Sequence, residues 1–292
     1  MTTYSIPFEG ISIGVDFHPA AGPARAALLY FHGGGLLYGS RRDLPQEYIR
    51  AITERGFHLF ACDYLLAPES PLEDIHRSVD AAAQWFLSHR RELLGREHPY
   101  ALFGRSAGGY LALSLAYRLA LRQECEPPAA LWCFYGYNTL LHPLFLRPSP
   151  HYKAMPQVPP GPIPNFSQQA PRSHAPIEER YFLYVHARQQ GSWPQLLSRG
   201  DPDALRRCAV PQPELSRLPP AFLTASTADG DVPFSFSKTL SREIPKSCLL
   251  PVFGLEHDYD RDPSREESAA LYQRALAWLE ALLEEPAGGG PQ

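Results

Sequence analysis

Short apolar segments alternate with longer segments of helical periodicity along most of this chain. Apolar residues are continuous over 27–31 and 100–104, and over 57–62 apart from His58, as is typical of strands buried on both faces. Within 75–87 and 111–119 they recur instead at the spacing of one helix face. Strands and helices in alternation form βαβ units, so the sequence predicts an α/β fold with a mostly parallel central sheet flanked by helices.

The two ends of this pattern differ from its middle. The segment ISIGVDF at 11–17 alternates apolar and polar residues, as a half-exposed strand does, and we expect GPARA at 22–26 to turn it back onto 27–31 as a hairpin. Three more strands are predicted at 130–137, 221–226 and 248–254, followed by a C-terminal helix whose apolar face is formed by Leu271, Ala275, Trp278 and Leu282.

Proline interrupts the alternation after the strand at 130–137. The chain has 31 prolines, and ten of them lie between Pro143 and Pro176. Each proline removes a backbone donor and fixes φ, so this stretch cannot hold a long helix or a central strand. We therefore predict a core of residues 1–137 and 219–285, a proline-rich cap insertion at 138–218, and a disordered tail at 286–292.

Ser106 lies between the apolar strand at 100–104 and the apolar helix that follows it. Its surroundings, GRSAGG, match the pattern G-x-S-x-G, which is weak evidence alone but is typical of a nucleophile when it joins a strand to a helix. Gly104 and Gly108 remove Cβ atoms from a tight turn, and the amide of Ala107 opens the helix toward any negative charge that forms beside the serine.

A second glycine-rich segment, FHGGGLLYG at 31–39, follows the strand at 27–31. Glycines let a loop bring its amides close to a ligand, so Gly34 and Gly35 are candidate donors to an oxyanion, with His32 holding the loop. The alternative is a flexible loop or a phosphate cradle. The spacing G-x-G-x-x-G fails here and no Walker lysine follows, which disfavours the phosphate interpretation.

A serine hydroxyl becomes a good nucleophile when an imidazole takes its proton and a carboxylate holds that imidazole. The segments TASTADGDVPF and FGLEHDYDRD follow two successive predicted strands and supply Asp229 and His257. Asp231 competes with Asp229 as the acid. We favour Asp229 because it comes first after its strand and the Val-Pro that follows Asp231 begins the outgoing helix.

Five motifs together resemble the α/β-hydrolase superfamily, and within it the hormone-sensitive-lipase-like carboxylesterases of bacteria: HGGG, DYLLAPE, GRSAGG, DGDVP and EHDYDR. The resemblance implies an α/β-hydrolase fold with no cofactor, a triad of Ser106, Asp229 and His257, and oxyanion donors from Gly34, Gly35 and Ala107. The family often has arginine where this chain has Leu65, which implies a changed salt-bridge network near Glu69.

These residues predict a serine hydrolase that cleaves small to medium carboxylic esters through an acyl-enzyme, with Tyr135 and Tyr137 as candidate substrate-binding residues. Two alternatives stay open. One is an amide-cleaving hydrolase, formamidase-like or peptidase-like, because the fold does not decide the leaving group. The other is a receptor-like protein that binds a ligand without turnover, although a receptor has no need of serine, acid, histidine and oxyanion glycines together.

Charge and composition limit the partners. A net charge of −4 gives no basic stripe for nucleic acid, so a small-molecule ester is the expected partner. The sequence shows neither a signal-like N-terminus nor about 18 consecutive apolar residues, so we expect a soluble, cytoplasmic protein without membrane contact. Neither C-x-x-C nor H-E-x-x-H occurs, so no metal site is predicted. The resemblance also allows a homodimer formed through the C-terminal strand and helix.

Overall fold

An eight-stranded sheet forms the centre of the computed structural model, which describes residues 1–122, 125–160 and 166–285. The strand order is β1-β2-β4-β3-β5-β6-β7-β8; β1 and β2 run antiparallel to their neighbours, and β3 to β8 are mutually parallel. This confirms the predicted α/β fold. The strands are β1 (Thr2–Phe8), β2 (Ile11–His18), β3 (Ala26–Phe31), β4 (Phe57–Cys62), β5 (Tyr100–Arg105), β6 (Ala130–Phe134), β7 (Ala221–Ser226) and β8 (Cys248–Val252).

Helices fill most of the connections between the strands. They are α1 (Gln46–Glu54), α2 (Leu72–Leu94), α3 (Ala107–Ala120), α4 (Pro150–Lys153), α5 (Ile177–Gln190), α6 (Trp193–Ser198), α7 (Pro202–Arg207), α8 (Ser235–Glu243) and α9 (Glu266–Glu284), with 3₁₀ turns at Gln212–Arg217 and Tyr259–Arg261. Within the described ranges, no helix is both long enough and apolar enough to cross a bilayer.

The predicted hairpin between β2 and β3 is wrong. The strand β2 pairs with β1 and β4, whereas β3 lies between β4 and β5 and is parallel to both. Every residue of β3 is buried, so this strand needs a partner on each side rather than a place beside a half-exposed strand. The hairpin forms one strand earlier, where Glu9 and Gly10 have φ of 46° and 83°, the left-handed pair that tight hairpin turns require.

Two apolar clusters cover the two faces of the sheet. One includes Ile75 and Val79 of α2 and Leu111 of α3; the other includes Ile52 of α1 and Leu271 of α9. Because both faces are buried, apolar residues occupy most positions of the central strands, which explains the apolar segments of the sequence.

The segment 138–218, here called the insertion, lies between β6 and β7 and contains α4 to α7. As the prolines indicate, its described helices are short except for α5, which begins directly after Pro176. The strand β6 ends at Phe134 and β7 begins at Ala221, so the division at 138 and 218 falls within the connections. The predicted disordered tail at 286–292 lies outside the described residues.

Candidate active site

Ser106 occupies a strained turn between β5 and α3. Its φ of 53° and ψ of −119° are unusual for a residue with a side chain, and they direct the turn sharply from strand to helix. A Cβ on Gly104 would lie 2.0 Å from the carbonyl oxygen of Gly108, and one on Gly108 would lie 2.0 Å from that of Phe31. Both positions therefore need glycine for the turn to pack against its neighbours.

The loops after β7 and β8 bring an acid and an imidazole to this serine. The Nε2 atom of His257 lies 2.9 Å from the hydroxyl oxygen of Ser106, and its Nδ1 atom lies 2.6 Å from Oδ2 of Asp229. An ionised carboxylate can only accept, so Nδ1 carries the hydrogen and Nε2 presents its lone pair to the Ser106 hydroxyl. The three residues thus form one continuous hydrogen-bonded chain.

Asp229 is held by the backbone as well as by the imidazole. Its Oδ1 atom accepts from the amides of Asp231 and Val232, both at 2.8 Å, which leaves Oδ2 for His257. Burial acts to lower the pKa of His257, but the charge and hydrogen bond of Asp229, with Asp231 and Asp258, raise that pKa above the ordinary histidine value. These contacts therefore stabilise the imidazolium relative to that of a free histidine.

Asp231 does not hold the imidazole. Its carboxylate stands 4.0 Å from Nε2 of His257, accepts from the hydroxyl of Tyr184 at 2.9 and 3.0 Å, and forms an ion pair with Nη2 of Arg188 at 3.2 Å. Both partners come from α5 of the insertion. Asp231 therefore connects the insertion to the site. Of the two acids, Asp229 is the one that forms a hydrogen bond with His257.

The loop HGGG lies directly beside Ser106. A Cβ on Gly33 would be 3.5 Å from the Cβ of Ser106, while Gly34 and Gly35 have φ of 97° and 60°. Nδ1 of His32 lies 2.8 Å from the carbonyl oxygen of Gly33, and its ring stacks on Tyr64. His32 is thus placed to fix the conformation of this loop.

Three amides form no backbone hydrogen bond outside the helices and strands of the described ranges. They belong to Gly34, Gly35 and Ala107, the residues proposed from sequence as donors. Ala107 is the first residue of α3, so its amide adds to the positive end of that helix. Amides that lie beside a serine in this way can donate hydrogen bonds to a developing oxyanion.

Tyr135, one of the two residues predicted to bind substrate, packs its ring against His257. Its buried ring meets the His257 ring edge to face at 4.8 Å, and its hydroxyl donates to Asp260 at 2.6 Å while accepting from Nε of Arg105 at 2.8 Å. Tyr135 has φ of 39°. Its side chain belongs to the apolar cluster on one face of the sheet, whereas that of Tyr137 belongs to the cluster on the other face. Tyr135 and Tyr137, which follow the end of β6, thus pack on opposite faces of the sheet.

The insertion contributes aromatic side chains to the neighbourhood of the glycine loop. The indole of Trp193 donates to the carbonyl of Gly35 at 3.0 Å, and a Cβ on Gly35 would lie 2.6 Å from the ring of Tyr184. Tyr137 packs edge to face with Trp193, with ring centroids 5.9 Å apart. Tyr137, the other residue predicted to bind substrate, therefore lies against the insertion.

Arg188 and Asp260 are the site residues that sequence reasoning missed. Arg188 lies in the proline-rich insertion without any motif, so no local signal indicated it. Asp260, fully buried, accepts from Arg105, Tyr135 and Tyr272. Its position in the acidic run EHDYDRD was the available signal. Within the described ranges, no group of three or more His, Cys, Asp or Glu side chains is arranged to hold a metal ion.

A sequence model described as the alpha/beta hydrolase fold matches residues 28–231, which include Ser106 and Asp229. The chain belongs to the alpha/beta hydrolase fold family. Among curated proteins, this alpha/beta hydrolase is 31% identical over 159 residues to the non-reducing polyketide synthase ausA of Emericella nidulans, and 34% identical over 108 residues to lipase 2 of a Moraxella species. These matches cover 50% and 37% of this chain but only 6% and 24% of the relatives.

Solved structures resemble this alpha/beta hydrolase over nearly its full length. A Staphylococcus aureus protein of unknown function is 27% identical with a TM-score of 0.85, and the match covers 97% of this chain and 100% of that one. An Enterococcus faecalis alpha/beta hydrolase superfamily protein is 29% identical with a TM-score of 0.82, over 96% and 99%. An esterase of Pyrobaculum calidifontis, 23% identical with a TM-score of 0.69 over 96% and 84%, shares the fold.

Proposed function

We propose that this alpha/beta hydrolase is a serine hydrolase of the hormone-sensitive-lipase-like type that cleaves small to medium carboxylic esters. The observation that carries the proposal is the hydrogen-bonded chain from Ser106 through His257 to Asp229. A buried serine has no structural need of an imidazole lone pair that is itself oriented by a carboxylate. That arrangement is what an activated nucleophile requires.

Acylation begins when the Ser106 hydroxyl oxygen attacks the ester carbonyl carbon. The hydroxyl proton passes to Nε2 of His257, and Asp229 stabilises the imidazolium that results. The carbonyl oxygen becomes an oxyanion held by the amides of Gly34, Gly35 and Ala107. The carbon–alkoxy bond then breaks, and Nε2 returns its proton to the leaving alcohol.

Deacylation repeats these steps with water. Nε2 of His257 takes a proton from a water molecule as its oxygen attacks the acyl carbon of the Ser106 ester. The same amides stabilise the second oxyanion. The bond to Ser106 then breaks, its oxygen recovers the proton, and the carboxylic acid leaves.

Relatives and burial support ester cleavage and a limited substrate size. Lipase 2 of Moraxella and the Pyrobaculum esterase are named for ester hydrolysis. The aromatic residues of the insertion come within contact of Gly35, so the insertion covers part of the site. A covered pocket favours small and medium acyl groups over long lipid chains.

A fluorophosphonate probe tests the activated serine without a known substrate. We expect one equivalent of probe to add to the wild-type protein by intact mass, and none to add to Ser106→Ala. The matched control is Ser114→Ala, which removes another buried serine of α3 and should still be labelled. Thermal unfolding of both variants establishes that the fold is retained.

Two results would contradict the proposal. Equal labelling of wild type and Ser106→Ala would place the reactive group elsewhere. Faster turnover of short aryl amides than of the matching aryl esters would move the assignment to amide cleavage, because an amide is the more difficult substrate for the same machinery.

A further inference from the structure

Two buried side chains carry donors that have no hydrogen-bond acceptor in the described part of the chain. The guanidinium of Arg188 is buried, with the residue 3% exposed, and neither its Nε nor its Nη1 atom has a partner there. The hydroxyl of Tyr137, a residue that is 1% exposed, also has no partner there. Buried polar groups are nearly always paired in folded proteins, so these donors indicate an acceptor that the polypeptide does not supply.

The neighbours of Arg188 balance its charge but not its N–H groups. Nη2 pairs with the side chain and the carbonyl oxygen of Asp231, at 3.2 and 3.0 Å. Four aromatic rings surround the guanidinium at 5.0 to 5.9 Å from their centroids, those of Phe145, Tyr152, Tyr184 and Trp193. Ring faces stabilise a cation, yet they offer no lone pair to the remaining N–H groups. An oxygen atom would complete the site.

Neighbouring contacts link Arg188 and Tyr137 to the glycine loop, to His257 and to α3. Tyr184 and Trp193, which enclose Arg188, both contact Gly35 of the glycine loop. Asp231, which pairs with Arg188, stands 4.0 Å from Nε2 of His257. Tyr137 stacks on Tyr110 of α3, the helix that Ser106 opens, with ring centroids 5.2 Å apart.

We propose that Arg188 and Tyr137 recognise an oxygen acceptor on the acyl group of the ester. The substrates would then be esters of oxo acids or monoesters of dicarboxylic acids rather than esters of plain alkyl acids. A ketone oxygen and a carboxylate oxygen share the chemistry that these donors require. This inference rests on the proposed ester hydrolysis and adds the class of acyl group.

Matched methyl esters test this preference. The first set is methyl butanoate, methyl acetoacetate and monomethyl succinate; the second, one carbon longer, is methyl pentanoate, methyl levulinate and monomethyl glutarate. Acid release at constant pH gives kcat/KM for each. In at least one set we expect the ketone or the carboxylate ester to exceed the alkyl ester by about a hundredfold, because sites with buried donors reject analogues that lack the acceptor. The two oxygen-bearing arms distinguish a neutral acceptor from an anionic one.

Variants connect the preference to the two residues. Arg188→Met and Tyr137→Phe should each bring the ratio between oxygen-bearing and alkyl esters close to one, mainly through KM of the oxygen-bearing ester. Tyr110→Phe is the matched control, because its hydroxyl donates to the carbonyl of Cys208 and its loss should leave the ratio unchanged. Tyr137→Phe keeps the aromatic packing, so the test stands even if Arg188→Met fails to fold.

The outcomes separate this inference from the proposed function. Ester turnover with no preference for oxygen-bearing acyl groups would overturn the inference alone and would indicate that ordered water partners the donors. A preference that survives in both variants would overturn it as well. Absence of turnover together with absence of fluorophosphonate labelling would overturn the proposed function, and the inference with it.

Discussion

Asp229 and Asp231 show how two similar residues acquire different tasks from their contacts. Both are buried and lie two positions apart, but their hydrogen bonds differ. The carboxylate of Asp229 accepts from two amides and the imidazole of His257, which fixes its position. The carboxylate of Asp231 is occupied by Tyr184 and Arg188. At this scale, the partner of a carboxylate decides its function.

Replacing each acid by its amide distinguishes the two. Asp229→Asn should lower kcat/KM for an activated ester on the order of a thousandfold or more, because an amide at this position favours the wrong histidine tautomer. Asp231→Asn should lower it less than about tenfold, because this side chain does not bond His257. Steady-state kinetics with an aryl ester gives both values. A larger loss for Asp231→Asn would reverse the assignment of the acid.

The raised pKa of His257 predicts the pH dependence. The imidazole must be neutral to accept the Ser106 proton, so kcat/KM should rise with pH and reach its half-value above the ordinary histidine pKa of 6.5. Asp231→Asn removes one of the negative charges that raise this pKa and leaves Arg188 unpaired, so the half-value should fall by about one pH unit. Glu284→Gln, which removes an exposed carboxylate, is the control.

A half-value for wild type below 6.5 would contradict the electrostatic account of His257. An equal shift in Glu284→Gln would attribute the change to net charge instead of to Asp231.

The turn from β5 into α3 is the element on which the site depends. It places Ser106 at the carboxyl end of a central strand, where the parallel strands β3, β7 and β8 also end. The loops that follow those strands therefore converge on it. The turn is possible because backbone atoms approach one another where Cβ atoms would otherwise stand.

An alanine in this turn should lower the free energy of unfolding far more than an alanine at a position with open space around it. Gly108→Ala places a Cβ against the carbonyl oxygen of Phe31, so we expect the free energy of unfolding to fall by about 3 kcal/mol or more. Gly22→Ala, where nothing lies within 4 Å of the new Cβ, should change it by less than about 0.5 kcal/mol. Urea unfolding measures both. Similar losses of unfolding free energy in the two variants would mean that the turn accommodates the added Cβ without strain.

In the molecule as a whole, helix α5 joins the insertion to the core through one polar face. Arg180, Tyr184 and Arg188 follow at intervals of four, so they share a face of the helix, and all three are buried. Arg180 pairs with Glu69 in the loop after β4 and donates to the carbonyls of Leu37 and Ala67. Glu69, near which the family resemblance implied a changed salt-bridge network, thus connects the insertion to the core.

Breaking this buried ion pair should weaken the whole fold. Glu69→Gln leaves the Arg180 guanidinium buried without its counterion, so we expect a loss of about 3 to 5 kcal/mol in the free energy of unfolding. The double variant Glu69→Gln/Arg180→Met should recover part of that loss. Asp203→Asn disrupts the exposed pair with Arg206 and should cost less than about 1 kcal/mol. Equal losses of unfolding free energy for the buried and exposed pairs would contradict the role of α5 in holding the insertion to the core.

The sequence predicted the parallel sheet because its buried strands and amphipathic helices are local patterns. It also predicted Ser106, Asp229 and His257 as site residues, because each follows a strand end. The pairing of β2 was predicted wrongly because strand order depends on which strands need a neighbour on each side, and local patterns do not show this. The role of α5 was missed for a similar reason: a polar helix face ordinarily predicts exposure to solvent, and here the insertion buries that face against the core.

If Ser106 is the proposed nucleophile, its separation of 151 residues from His257 also determines when the chain becomes reactive during its synthesis. Residues enter the folding chain from the N-terminus, so the turn at Ser106 can form long before the imidazole exists. The hydroxyl gains its base only after β8 has joined the edge of the sheet. Under the proposed function, a fluorophosphonate would therefore react only after β8 and the loop that follows it are in place, and a chain that ends before His257 would carry an inert serine.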